Sequence, residues 1–191
     1  MDGWILVVCA IVAFVTLYFH RWEGYGGCAY QWDSGFVCPP TVRTADYVIQ
    51  PYDSAHESTQ ALVSQHMQEE WGYGNDFIKK NWSLSGDTYF IMTPHDGADV
   101  IGTVAVDRKN FYPFISQLYV NPGYRRKGHA ATLLQFAEDY GALLGFDSSR
   151  LWCEKHMEEY YAKRGYETTG KATADDNTPV LVMVKSGLKK K

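Results

Sequence analysis

The stretch from Phe114 to Cys153 limits the possible folds of this chain more than any other. "FISQLYV" (114–120) is strand-like, and a turn-rich "NPGYRRKG" (121–128) follows it. From His129 the apolar positions Ala130, Leu133, Leu134, Ala137, Gly141 and Leu144 recur at helical spacing, and Gly145 is placed to end that helix. "RLWC" (150–153) then reads as a buried strand. A strand, a helix and a second strand in this order need a crossover connection, so the two strands lie parallel in one sheet.

Upstream, "TYFIM" (88–92) and "VIGTVAV" (100–106) are linked to 114–120 by short turns, which predicts an antiparallel meander. The sheet is therefore mixed and mostly antiparallel, in an α/β (α+β) fold with flanking helices. "DYVIQPY" (46–52) predicts a first strand. Ser54 with Glu57 forms a capping box ahead of a helix carrying Leu62, Val63 and Met67 that stops near Gly72. A short helix is expected over 75–82, another over 157–165 capped by Gly165, and a last strand over 179–184. The segment "GKATADDNT" (170–178) reads as a loop.

With 191 residues the chain has room for one ordinary domain plus extensions. The reading divides it into a short tail (1–3), an apolar run (4–20), a Gly- and aromatic-rich linker (21–43), the domain (44–186) and a basic tail (187–191). "WILVVCAIVAFVTLYF" (4–19) is an uninterrupted apolar or neutral run, long enough as a helix to anchor the chain in a membrane. It has no Lys or Arg ahead of it and no small-x-small site after it, which argues for a retained anchor over a cleaved signal. His20 and Arg21 after the run favour a cytosolic domain. Cys28 and Cys38 pull the other way if they form a disulfide; a pair of free thiols is the alternative. The "NWS" sequon at Asn81 is a further formal mark of an oxidising compartment. No Cys/His spacing fits a metal site, and a formal charge of −4 disfavours nucleic acid as a partner.

Against that acidic balance, Arg125, Arg126 and Lys127 stand just ahead of a helix start, where a cation costs about 0.3–1 kcal/mol unless an anion compensates. Gly128, Ala130 and Ala131 are small, so a ligand can approach the free amides of the first turn. Phosphate is the natural occupant. Neither a GxxxxGK[ST] loop nor an early GxGxxG is present, which disfavours ordinary nucleotide folds.

"RRKGHA" (125–130) resembles the [Q/R]-x-x-G-x-[G/A] pyrophosphate loop of the GNAT superfamily of acetyl-CoA-dependent N-acetyltransferases, with Arg125, Gly128 and Ala130 at its defined positions. "LYV" (118–120) resembles the end of the family's fourth strand, and "YAKRGY" (161–166) its Y-x-x-x-G-[F/Y] motif. The resemblance covers residues 44–186 and implies fourth and fifth strands that splay apart. It also implies acetyl-CoA as cosubstrate, without a metal. The pyrophosphate is then expected on the loop of Arg125, Arg126, Lys127, Gly128, His129, Ala130 and Ala131, and the pantetheine arm along Leu118, Tyr119 and Val120. Tyr161 matches the usual general acid, in a direct attack by a neutral amine with no covalent enzyme intermediate.

Glu154 stands where many members carry an asparagine that binds pantetheine. No carboxylate occurs on 114–120, so proton removal through water is open. Glu69, Glu70 and Trp71, where members contact acceptor, and His156 are the other candidates; a solvated helix end is the reading favoured for the two glutamates, and ordinary surface is the alternative for His156. Acidic residues near 69–75 and 170–178 lean toward a cationic acceptor: a polyamine, a lysine or a peptide N-terminus, on a small molecule or a protein. The contrasting reading is an inactive, membrane-anchored member that only binds a partner.

Overall fold

A computed structural model describes residues 39–72, 88–107, 113–174 and 177–189. The apolar run (4–20), Cys28 and Cys38, the short helix expected over 75–82 and the Asn81 sequon all lie outside the described residues. No helix among the described residues is long and apolar enough to cross a membrane.

Among the described residues eight strands form one sheet: β1 (Val42–Arg43), β2 (Val48–Pro51), β3 (Thr88–Thr93), β4 (Gly102–Asp107), β5 (Phe114–Val120), β6 (Ser148–Cys153), β7 (Glu167–Thr173) and β8 (Pro179–Ser186). Their spatial order is β1-β2-β3-β4-β5-β6-β8-β7. The pairs β2–β3, β3–β4 and β4–β5 are antiparallel, and β5–β6 is parallel, as the crossover requires. Among the described residues three α-helices accompany the sheet: α1 (Glu57–Trp71), α2 (His129–Leu143) and α3 (Glu158–Ala162).

The alternation of side chains along β3 and β4 divides the core in two. Phe90, Met92, Val104 and Val106 join Leu133, Leu134, Phe136 and Tyr140 of α2. Tyr89, Ile91 and Ala105 face the other way, onto Val63 and Met67 of α1. All of these are buried, which explains why 88–92 and 100–106 read as continuous apolar runs instead of alternating ones.

The helix α1 starts later than the capping box predicts. His56 is the N-cap, its Nδ1 accepting from the Ser58 amide, while Ser54 belongs to a short 3-10 turn. Pro51 ahead of that turn sets the chain direction and moves the cap two residues on. Gly72, at φ +69°, closes α1 in the left-handed conformation.

A second difference is β7. Residues 170–173, expected in a loop, pair antiparallel with β8 from Lys171↔Leu181 to Thr173↔Pro179. The strand lies at the sheet edge with most of its residues exposed, so no apolar alternation marks it in the sequence.

The positioning of the site depends on the middle of β5. Gln117 adopts φ +52°, and the β4–β5 register slips between Thr103 and Ala105, the signature of a β-bulge. Thr103 Oγ1 donates to the Gln117 carbonyl at 3.0 Å and holds the bulge. Parallel pairing with β6 covers only Phe114↔Arg150 and Ile115↔Leu151. Beyond the bulge, Tyr119 and Val120 still pair with β4 through Thr103↔Tyr119 and Gly102↔Val120, and no described strand pairs with Leu118 to Val120 on the other side.

Candidate active site

The gap that opens between β5 and β6 is a cavity of about 680 Å³. One wall is the end of β5, Leu118 to Val120, whose backbone edge toward β6 is unpaired. Such an edge can take an extended amide-bearing chain as if it were an added strand.

Arg126, Gly128, His129, Ala130 and Ala131 line the cavity where α2 begins. Asn121 shapes the approach: its Oδ1 accepts from the Gly123 amide at 3.1 Å and its Nδ2 donates to the Val100 carbonyl at 3.1 Å. Arg126 (φ +63°) and Gly128 (φ +89°) then reverse the chain in the left-handed region, and α2 starts with no side-chain cap. The first-turn amides are thereby left for a ligand, and a Cβ on Gly128 would meet no protein atom within 4 Å, so the space above them is open.

The three loop cations divide their tasks. Arg125 also lines the cavity, with its donors committed within the protein: its Nε donates to the Val120 carbonyl at 2.8 Å and its Nη2 to both Glu70 oxygens at 3.0 Å. Lys127 Nζ lies 5.4 Å from the centre of the Tyr124 ring. Arg126 is exposed. His129 sits edge-on to Tyr47 and Tyr124, and burial, reinforced by Lys127, depresses its pKa, so the imidazole stays neutral at physiological pH.

Of the acceptor-side residues, Glu70 and Trp71 line the cavity, with Trp71 edge-on to Tyr119 at 5.7 Å. Glu69 is elsewhere on α1, accepting from Gln65 Nε2 at 2.9 Å. Glu70 is the one carboxylate among the described lining residues.

The opposite wall comes from the turn after β6 and from α3: His156, Met157, Tyr160, Tyr161 and Arg164. Tyr161 is 8% exposed, and burial raises its pKa, with Tyr160 and Cys153 adding to the effect. Its phenol therefore holds its proton at neutral pH and is available as a donor. Tyr160 packs edge-on against it at 5.1 Å, and its own buried hydroxyl has no partner among the described residues. The Arg164 guanidinium stacks 3.6 Å from the centre of the Tyr160 ring and donates to the Tyr160 carbonyl at 2.6 Å. Glu154 is exposed and pairs with His156 at 3.5 Å.

Sequence reasoning missed Tyr124, Met157, Tyr160 and Arg164 as lining residues. A signal existed for two of them: 157, 161 and 164 recur at helical spacing, so Tyr161 facing a cavity brings Met157 and Arg164 to the same face. Among the described residues no group of three or more His, Cys, Asp or Glu is arranged to hold a metal ion.

Known proteins share this architecture. An acyl-CoA N-acyltransferase from Pseudomonas aeruginosa superposes with a TM-score of 0.59 at 14% identity, covering 74% of this chain and 99% of its own. The aminoglycoside 6'-N-acetyltransferase from Enterococcus faecium gives 0.63 at 14%, over 75% and 98%. A spermidine N-acetyltransferase mutant from Vibrio cholerae gives 0.60 at 14%, over 75% and 95%. At such identities the likeness establishes the fold. No curated protein sequence matches. A family profile does: the acetyltransferase (GNAT) family matches residues 52–170, a span that runs from the turn before α1 into β7 and contains the bulged strand, the phosphate-type loop and Tyr161. With more than half its length matched, this chain belongs to the GNAT family and is an acyl-CoA-dependent N-acetyltransferase.

Proposed function

We propose that this protein transfers an acetyl group from acetyl-CoA to a primary amine by direct attack within a ternary complex, in a domain tethered to a membrane. One observation carries the catalytic part: the unpaired edge of Leu118–Val120, the uncapped amides at Gly128–Ala131 and the protonated Tyr161 border one cavity. Acetyl-CoA would supply an activated acyl thioester. The amides of Arg126 to Ala131 would hold its pyrophosphate, and Leu118 and Val120 would pair with its pantetheine amides. An amide near Leu118 is suited to polarise the acyl oxygen. Tyr161 Oη is suited to give its proton to the departing sulfur.

The acceptor we propose is a cationic primary amine: a polyamine, a lysine side chain or a peptide N-terminus. Two points support this class. Glu70 and Trp71 put a carboxylate and an aromatic ring on the cavity lining, and proteins of the same fold act on spermidine and aminoglycosides, both rich in amines. Removal of the acceptor's proton through water fits a lining whose one described carboxylate is already held by Arg125. The tether rests on the apolar run 4–20, and a cytosolic domain on His20 and Arg21 after it.

The test is calorimetric titration with acetyl-CoA followed by an acetyl-transfer screen over polyamines, small amines and peptides, with Gly128→Trp as control. Micromolar binding, abolished in the variant by an indole above the amides, and turnover with at least one amine are expected. Absent binding by the wild-type protein would sink the proposal. Membrane fractionation of the full chain, against a chain lacking residues 1–20, checks the tether.

A further inference from the structure

Arg164 is a cation in an unusual setting. It is half-buried, it lines the cavity, and among the described residues no carboxylate lies within ion-pair distance of it. Apart from the exposed Glu167, which forms no ion pair with it, the acidic side chains of the neighbouring elements are engaged elsewhere. Glu154 pairs with His156, Glu158 with Lys155 and the Thr168 hydroxyl, Glu159 with Lys163, and Glu70 with Arg125. A half-buried guanidinium without a counter-charge is costly unless an anion arrives.

The side chain is also fixed in place. Its stack on the Tyr160 ring at 3.6 Å and its Nη1 bond to the Tyr160 carbonyl at 2.6 Å are two independent restraints. Tyr160 is itself anchored edge-on against Tyr161 at 5.1 Å. The guanidinium has five N–H donors, and the bond to the Tyr160 carbonyl uses one. Across the same cavity stands the α2 N-terminus, and the loop residue expected to serve it, Arg125, is spent on Glu70. Besides Arg126 on the loop, the cavity thus has a second cation free of a described carboxylate, Arg164 just beyond the C-terminal end of α3.

We propose that Arg164 binds a phosphate oxygen of bound coenzyme A, facing the helix N-terminus from the opposite wall. The inference rests on the cosubstrate reading above. On this assignment the position needs a preorganised planar cation, and an apolar residue there would keep the fold while losing the anion.

Calorimetric titration of wild type, Arg164→Met and Arg164→Lys with coenzyme A, 3'-dephospho-coenzyme A and pantetheine tests it. Pantetheine has no phosphate. Arg164→Met should weaken coenzyme A by about tenfold or more, the scale of one charge-assisted hydrogen bond, and leave pantetheine within twofold. Arg164→Lys should recover part of the loss, since it restores charge without the stacked plane. An equal loss for dephospho-coenzyme A places the contact on the pyrophosphate; a loss confined to coenzyme A places it on the 3'-phosphate. Coenzyme A affinity unchanged in Arg164→Met, or pantetheine weakened as much as coenzyme A, overturns the assignment while leaving the cosubstrate reading intact. No coenzyme A binding by the wild type overturns both.

Discussion

Gly102 faces the end of β5 that borders the active site, and replacing it with alanine is a direct probe of that geometry. A Cβ at this position would lie 2.3 Å from the Tyr119 carbonyl oxygen, 3.0 Å from Leu133 Cδ1 and 3.3 Å from Val120 Cα. The Leu133 methyl can rotate aside. The carbonyl and the Cα belong to a backbone paired at Gly102↔Val120 and Thr103↔Tyr119, so β4 and β5 must part by about 1 Å to restore ordinary contact. Overpacking of this kind costs about 1–3 kcal/mol, and in a domain of this size each kcal/mol lowers the melting temperature by about 2–4 °C. Gly102→Ala should therefore melt about 2–12 °C below wild type in a circular-dichroism scan. The same displacement moves Leu118 and Val120, and a 1 Å misplacement can cost about 10²-fold in turnover. Gly123→Ala is the control, because its Cβ would meet nothing nearer than Asn121 Oδ1 at 3.7 Å, an ordinary contact, and should stay within about 0.5 kcal/mol. If Gly102→Ala melts within a degree of wild type and turns over normally, the close approach of the two strands is not what sets the cavity wall.

Three further predictions concern the proposed proton donor and the buried charges. Tyr161→Phe should lower turnover by about 10²-fold or more with acetyl-CoA affinity within twofold, measured by steady-state kinetics and titration; unchanged turnover removes the phenol from the chemistry. Burial raises the pKa of both Tyr161 and Tyr166, so their contribution to stability is complete below the unfolded tyrosine value of about 10 and is lost as pH rises above it, because only the unfolded chain releases those protons there. Urea midpoints should fall from pH 9 to 11, less steeply in Tyr161→Phe, and a flat profile would contradict the burial argument. The Glu138 carboxylate, 3% exposed, pairs with Lys185 Nζ at 2.6 Å, tying α2 to β8. Lys185→Met should cost about 3–5 kcal/mol in urea unfolding by leaving that charge buried alone, and adding Glu138→Leu should recover most of it.

Much of the site was legible in the residues because its parts are local. Gly128 at a left-handed position, small residues after it and a helical apolar period from His129 all lie within one stretch, and each reports a backbone preference or a period that needs no knowledge of distant contacts. Tyr161 was readable from its short motif with Gly165, which adopts φ +86° after α3. The capping box misplaced the start of α1 because Ser54 and Glu57 satisfy the pattern equally well whether or not the chain enters the helix there, and the preceding Pro51 turn decided otherwise. Strand β7 left no periodic trace, since an exposed edge buries neither face.

What the sequence determined alone was the mixed sheet, the crossover and the phosphate-type loop, consequences of periods of two and 3.6 and of glycine's freedom at positive φ, while the phenol of Tyr161 came from the resemblance of its motif to the family's. What only the tertiary structure decided was where the charges go. Arg125 meets a carboxylate 55 positions away in the chain and is held by it, whereas Arg164, on the same cavity, stacks on Tyr160 with no described carboxylate beside it. The bulge at Gln117, a non-glycine residue held at positive φ by the Thr103 hydroxyl, likewise has no local signature and opens the gap between β5 and β6. Ion pairs and strand register are settled by which surfaces the fold brings together, and no local period encodes that choice.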